Sequence, residues 1–190
     1  MIWEELKEIG QIEVDGECFS LIHLRDKKYN FLIESQPGYS ELSFDLLVQY
    51  SSHCVSYGQK HNEESITAHL FDHRNNPRSF CKHRYNLSQQ LPEIFNNILT
   101  KVFYFTGHDN WLLIEIIDEN GLKSDYEIFF RLHRETGRFL RLYVESAYIR
   151  TEEGLIRKPK HFARQEKVKA KTLFSKKLRN ESIRKPPVRR

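Results

Sequence analysis

Apolar and polar side chains alternate with period two through much of the second half of the chain. Tyr126, Ile128, Phe130 and Leu132 alternate with Glu127, Phe129, Arg131 and His133, and Leu140, Leu142 and Val144 alternate with Arg141, Tyr143 and Glu145. Successive side chains of a strand point to opposite faces, so this period predicts half-buried strands. Three antiparallel strands are expected, over 110–118, 125–132 and 139–150. Asn120-Gly121 and Thr136-Gly137 supply turn residues that tolerate positive φ.

The first half carries the same signal in shorter pieces. Leu42, Phe44, Leu46, Val48 and Tyr50 alternate and predict a strand over 41–50. Short strands are expected at 11–14, 18–24 and 29–34, with turns at Asp15-Gly16 and Asp26-Lys27-Lys28. The period changes at Leu91, Ile94, Phe95, Ile98, Leu99 and Val102, which form a helical stripe. With Pro92 suited to a first turn, this predicts the principal helix, residues 92–101, packed on the sheet. Residues 167–172 alternate weakly and suit an edge strand, where lysines oppose aggregation, and Leu173, Phe174 and Leu178 suit a short terminal helix. The pattern therefore predicts an α+β fold: a mainly antiparallel sheet, one principal helix packed on it, and a basic C-terminal extension. Residues 1–150 are expected to form the α+β domain, with 80–150 its helix and antiparallel core. Residues 151–190 are expected to be partly packed, with a mobile end.

Charge divides the chain at the same place. Residues 1–150 hold 16 Lys/Arg and 22 Asp/Glu, whereas residues 151–190 hold 14 and 4. A basic segment of this kind suits an anionic partner, RNA or another nucleic acid, through Arg150, Arg157, Lys158, Lys160, Arg164, Lys167, Lys169, Lys171, Lys176, Lys177 and Arg179. The alternatives are a protein partner or a solvated tail. No apolar run is long enough to cross a bilayer, and Glu4, Glu5 and Glu8 break the order of a signal peptide. Cys18, Cys54 and Cys81 are widely spaced and never in C-x-x-C, which predicts free thiols in a reducing, cytoplasmic setting. His69, His73, Cys81 and His83 match no standard zinc spacing, and no phosphate-cradling glycine loop is present, so no metal or cofactor is expected.

Candidate chemistry gathers at the ends of predicted elements. His53 follows a strand, His83 and Arg84 precede the helix, and Ser146, Tyr148 and Arg150 close the last strand. Ser146 and Tyr148 continue the numbering of Leu140, Leu142 and Val144, so they are expected on the core-facing side, where an apolar stripe turns polar. The bland account is a satisfied hydroxyl and a tyrosine at the sheet rim. The sharper one is a pocket floor. His53, Arg84, Ser146 and Tyr148 are the residue types that metal-independent RNA cleavage needs. Such cleavage takes a base for the 2′-hydroxyl, an acid for the leaving oxygen and a cation for the phosphorane.

The helix-then-sheet order, the His83-Arg84 pair and Ser146-x-Tyr148 resemble the barnase–colicin–RelE-like ribonucleases over residues 80–150. That resemblance implies a ribonuclease-like activity, of the toxin or phage-defence kind. Ser52-His53-Cys54, Arg84-Tyr85-x-Leu87-Ser88-x-x-Leu91-Pro92 and Val144-x-Ser146-Ala147-Tyr148 resemble an uncharacterised family of bacterial and prophage-borne proteins. This second resemblance spans most of the chain, implies no particular activity, and favours Arg84 and Tyr85 over His83 as characteristic residues. The alternative function is a non-catalytic nucleic-acid-binding or protein-interaction module that uses the basic C-terminal segment.

Overall fold

The alternating segments assemble into one curled sheet. A computed structural model of the chain describes residues 1–35, 40–58, 67–106, 110–119, 122–150 and 167–183. The sheet is built from β3 (Lys27–Ile33), β4 (Leu42–Tyr50), β8 (Val102–Phe105), β9 (Trp111–Glu119), β10 (Leu122–Arg134), β11 (Phe139–Ile149) and β12 (Lys167–Lys169), in the order β12-β8-β9-β10-β11-β4-β3. The joint between β11 and β4 is parallel, from Phe139↔Asp45 to Val144↔Tyr50, and the other neighbours run antiparallel. Among the described strands the sheet is thus mixed, with one parallel joint beside five antiparallel ones. Alternation records which face of a strand is buried and is silent on the direction of its neighbour.

The curl follows from one aromatic side chain. β4 and β8 lie four strand spacings apart, about 19 Å in a flat sheet. Yet the Phe174 ring lies 5.5 Å from Phe44 on β4 and 5.9 Å from Phe103 on β8. One ring reaches both only because the sheet wraps around it. Phe174 belongs to α4 (Ala170–Leu178), which buries Ala170, Leu173, Phe174 and Leu178 in the concave face. The other end of that face takes α3 (Leu91–Asn96), whose Phe95 packs edge-on against Tyr50 at 5.9 Å. Near it, Trp3 of α1 (Trp3–Ile9) donates its indole N–H to the Tyr50 carbonyl at 2.7 Å.

The principal helix expected over 92–101 is broken into pieces. α2 (Lys82–Ser88) precedes α3, and a 3₁₀ turn (Ile98–Thr100) follows it. Pro92 does sit in the first turn of α3, and Leu91, Ile94, Phe95 and Ile98 are all buried. The interruption comes at Asn97, whose side-chain amide donates to the Glu93 carbonyl at 3.2 Å. Asparagine competes with the backbone for helical hydrogen bonds, so the apolar stripe continues while the α-helix stops.

Smaller elements close one end of the sheet. β1 (Gln11–Val14) and β2 (Glu17–Ser20) form a hairpin over Asp15 (φ 51°) and Gly16 (φ 80°), the positive-φ pair a tight hairpin turn requires. β5 (Ser56–Tyr57), β6 (Leu70–Phe71) and β7 (Pro77–Phe80) form a three-stranded sheet in the order β5-β7-β6.

A β-bulge corrects the placement of Ser146 and Tyr148. Phe130 pairs with Val144 but Phe129 pairs with Ser146, so Glu145 is an extra residue on β11. One inserted residue moves everything beyond it to the opposite face. Ala147 therefore enters the core, fully buried like Val144, while Ser146 and Tyr148 lie half-exposed on the convex face. The core-facing position expected for them is overturned. No helix among the described residues is long and apolar enough to cross a membrane.

Candidate functional site

The turn after β4 places His53. Ser51 caps a 3₁₀ turn (Ser52–Cys54) by accepting from the His53 N–H at 3.2 Å. Its hydroxyl donates to the Glu145 carbonyl at 2.6 Å and its N–H donates to the Val144 carbonyl at 3.0 Å, so the turn is tied to the bulge of β11. Ser56 continues the anchoring by donating to the Ser52 carbonyl at 2.6 Å. Two arginines then hold the far side of the turn. Arg84 Nη1 donates to the carbonyls of His53 and Ser56 at 3.1 and 2.7 Å. Arg78, on β7, donates to Ser56 Oγ at 3.0 Å and to the Ser56 carbonyl at 3.2 Å.

The opposite wall is an aspartate turn between β6 and β7. Asp72 Oδ1 accepts from the backbone N–H groups of Arg74 and Asn76 at 2.8 and 2.9 Å, and the Asn76 amide reaches both carboxylate oxygens. Asn75 takes the left-handed conformation (φ 61°) that this tight turn needs. Burial alone would raise the Asp72 pKa, but the hydrogen bonds of Asn76 and Arg74 hold it below the ordinary carboxylate value. Its Oδ2 lies 3.9 Å from His53 Nε2.

Between these walls and β11 opens a cleft of about 630 Å³. His53, Ser146, Arg78, Asp72 and Arg74 all line it. Burial pushes the His53 pKa down to about 4, and the Arg78 and Arg84 cations outweigh Asp72. His53 is therefore a neutral imidazole near pH 7.

The predicted site residues divide into two groups. His53 and Ser146 share the cleft, whereas Arg84 and Tyr148 meet behind the turn, where the guanidinium stands 5.0 Å from the phenol ring centre. The Tyr148 ring also stacks on Phe129 at 5.9 Å and faces Arg150 at 6.0 Å. Burial raises the Tyr148 pKa and keeps its hydroxyl protonated. Arg150 is engaged as well, pairing at 2.7 Å with Glu127, which is 1 % exposed. Of the basic residues expected to meet nucleic acid, Lys167, Lys169 and Lys171 are exposed, and Lys176, Lys177 and Arg179 are half-exposed. Arg157, Lys158, Lys160 and Arg164 lie outside the described residues. Among the zinc candidates, His69 Nδ1 accepts from the Phe80 N–H at 3.1 Å, and no group of three His, Cys, Asp or Glu among the described residues is placed to hold a metal.

Sequence reasoning missed Asp72 and Arg78. Asp72 had a usable signal, since Asp72-His73-Arg74-Asn75-Asn76-Pro77 is dense in turn formers. Arg78 had none: a lone arginine in a polar stretch does not announce burial.

The model of the YjaZ family matches residues 11–178, a span that holds every wall of the cleft. Protein YjaZ of Escherichia coli (strain K12) is 29 % identical over 181 residues, covering 90 % of this chain and 91 % of that protein. No solved structure matches the chain at a significant level.

Proposed function

The chain belongs to the YjaZ family, and on that premise we propose that it is a metal-independent, ribonuclease-like protein acting on RNA in the His53 cleft. One observation carries this: the His53 imidazole, backed by Asp72 at 3.9 Å, faces the same cavity as Ser146. A carboxylate beside a histidine favours protonation of the imidazole, which is what a general base needs. The neutral imidazole takes the proton of the 2′-hydroxyl, Ser146 binds a phosphate oxygen, and a solvent water protonates the leaving oxygen, while Tyr148 packs on Arg84 behind the turn. Arg84 acts as a positioning residue in this scheme, because its donors hold the His53 turn. General acid–base groups contribute about 10²–10⁴-fold. His53→Ala is therefore expected to lower RNA cleavage by about that factor with the circular dichroism spectrum retained. An unchanged cleavage rate would remove His53 from the chemistry.

A second reading is non-catalytic nucleic-acid binding, favoured by the exposed run Lys167, Lys169 and Lys171 leading from the edge strand into α4. Each phosphate contact on a single strand contributes about 0.7 to the slope of log affinity against log salt. Replacing all three lysines by alanine should lower that slope by about 2. A slope that does not change would exclude this surface.

A further inference from the structure

Two guanidinium groups converge on one carbonyl at the back of the cleft. Arg78 Nη2 and Arg84 Nη1 both donate to the Ser56 carbonyl, at 3.2 and 2.7 Å. Their remaining protein bonds also go to neutral acceptors, Ser56 Oγ for Arg78 and the His53 carbonyl for Arg84. Among the described residues neither forms an ion pair. Arg78 is only 8 % exposed. A buried cation without a counter-charge is costly, and a second cation beside it adds to the cost.

The carboxylates of the cleft are already engaged. Asp72 is occupied by its own turn, and Glu145 pairs with Arg131 at 2.6 Å and accepts from the Asn110 amide at 2.7 Å. Among the described residues, counting Arg78 and Arg84 against Asp72, with Glu145 and Arg131 cancelling and His53 neutral, one positive charge remains uncompensated around the cleft. Arg74 adds another cation at the rim, where it is exposed.

Gly58 stands beside the buried guanidinium. It lines the same cleft, and a Cβ at that position would stand 3.1 Å from Arg78 Nη1. Nη1 is the nitrogen of Arg78 not used on Ser56. A donor of a buried cation thus lies against a glycine of the cleft lining.

We infer that the cleft is a binding site for a phosphate dianion, inorganic or carried as a monoester, held by Arg78 with His53 and Ser146 as its other hydrogen-bonding partners. The three residues come from β7, the 52–54 turn and β11, so they approach from three walls. Such an arrangement suits a tetrahedral oxyanion better than a planar carboxylate. The volume leaves room for a body of nucleotide size behind the phosphate. The inference goes beyond the RNA reading, since it needs neither a polymer nor catalysis.

The test is an NMR titration of the full chain, following the His53 imidazole resonances. The probes are inorganic phosphate, adenosine monophosphate, and one short RNA with either a 5′-phosphate or a 5′-hydroxyl. Phosphate and the mononucleotide are expected to shift His53 saturably. Arg78→Lys, which keeps the charge but loses the fork, is expected to weaken both by about ten- to a hundredfold. Gly58→Val, which keeps Arg78 and covers its Nη1, is expected to weaken them as well, and it decides the matter if Arg78→Lys does not fold. Absence of a His53 response to phosphate and mononucleotide, or equal affinity in a folded Gly58→Val chain, would overturn the site. Binding of the small phosphates without either RNA would keep the site and remove the RNA reading. RNA cleavage with no response to the small phosphates would do the reverse.

Discussion

The two faces of the β10–β11 pair are built from the same residues in alternation and are held by different forces. The concave face carries Tyr126, Ile128, Phe130, Leu140, Leu142, Val144 and Ala147, all nearly inaccessible, and is filled by α3, α4 and their aromatic rings. Its contacts are non-directional. The convex face is held by directional contacts: Arg131 to Glu145, Arg150 to Glu127, Phe129 on Tyr148, and the Ser51 hydroxyl on the Glu145 carbonyl. Burial of apolar area stabilises the first face whatever the chemistry beyond it. The second face is specified by single atoms, and the cleft opens there, at the residue that interrupts the alternation.

Three measurements sharpen this contrast. Phe174→Ala removes the ring that joins the two limbs of the curled sheet. A buried Phe→Ala change typically costs about 3–5 kcal/mol, and urea unfolding should show a loss of that size. The His53 resonances of the folded fraction should stay where they are, because the defect lies on the concave face. A shift of His53 in that variant would show the two faces to be coupled.

Arg84→Ala should act on the other face. It leaves the His53 and Ser56 carbonyls without this donor and removes the cation from the Tyr148 ring. Hydrogen bonds to charged groups are worth about 1.5–3 kcal/mol each, but Arg84 is half-exposed and its removal also relieves its repulsion of Arg78, so the expected loss of stability is smaller than for Phe174→Ala. Amide exchange should nevertheless accelerate specifically in residues 52–57. Uniform protection across the turn would show that Arg84 does not hold it.

The third effect is the smallest and depends on pH. Burial lowers the His53 pKa to about 4, with Arg78 and Arg84 adding to the shift and Asp72 opposing it, and burial lowers His23 to about 4 as well. Both are depressed from 6.5, so between about pH 6.5 and 4 the unfolded chain binds more protons than the folded one. Stability should be level above that window and fall as pH drops through it. The His53 side chain is 37 % exposed, so solvent screening reduces its share. His53→Gln should flatten part of the slope and leave the part due to His23, which is bonded to Ser88. A slope unchanged by His53→Gln would mean that His53 titrates alike in the folded and unfolded chains.

The strands were readable because burial on one face imposes a period of two. Leu42 through Tyr50 follows it without interruption and Tyr126 through Leu132 follows it except at the buried Glu127; the terminal helix stands where its pattern places it, whereas the edge strand expected over 167–172 covers only Lys167–Lys169 before α4 begins. The helix was half readable: its apolar stripe is buried as expected, but Asn97 ends the α-helix through a side-chain bond that periodicity does not register. The site was readable as residue types at the ends of elements. His53 and Ser146 do meet in one cleft, while Arg84 and Tyr148 meet behind it.

What the amino-acid order determined by itself is local: which segments extend, which side of each is apolar, and where chain reversals such as Asp15-Gly16 fall. These depend on neighbours a few residues apart. Only the tertiary structure decided that β4 lies parallel to β11, that the sheet curls around Phe174, and that Glu145 bulges and turns Ser146 and Tyr148 outward. It also decided that Arg78, 22 residues from Ser56, would be buried against it. Each of these is a pairing between distant positions. A lone arginine or an extra residue in a strand acquires its role only from the partner the fold brings to it.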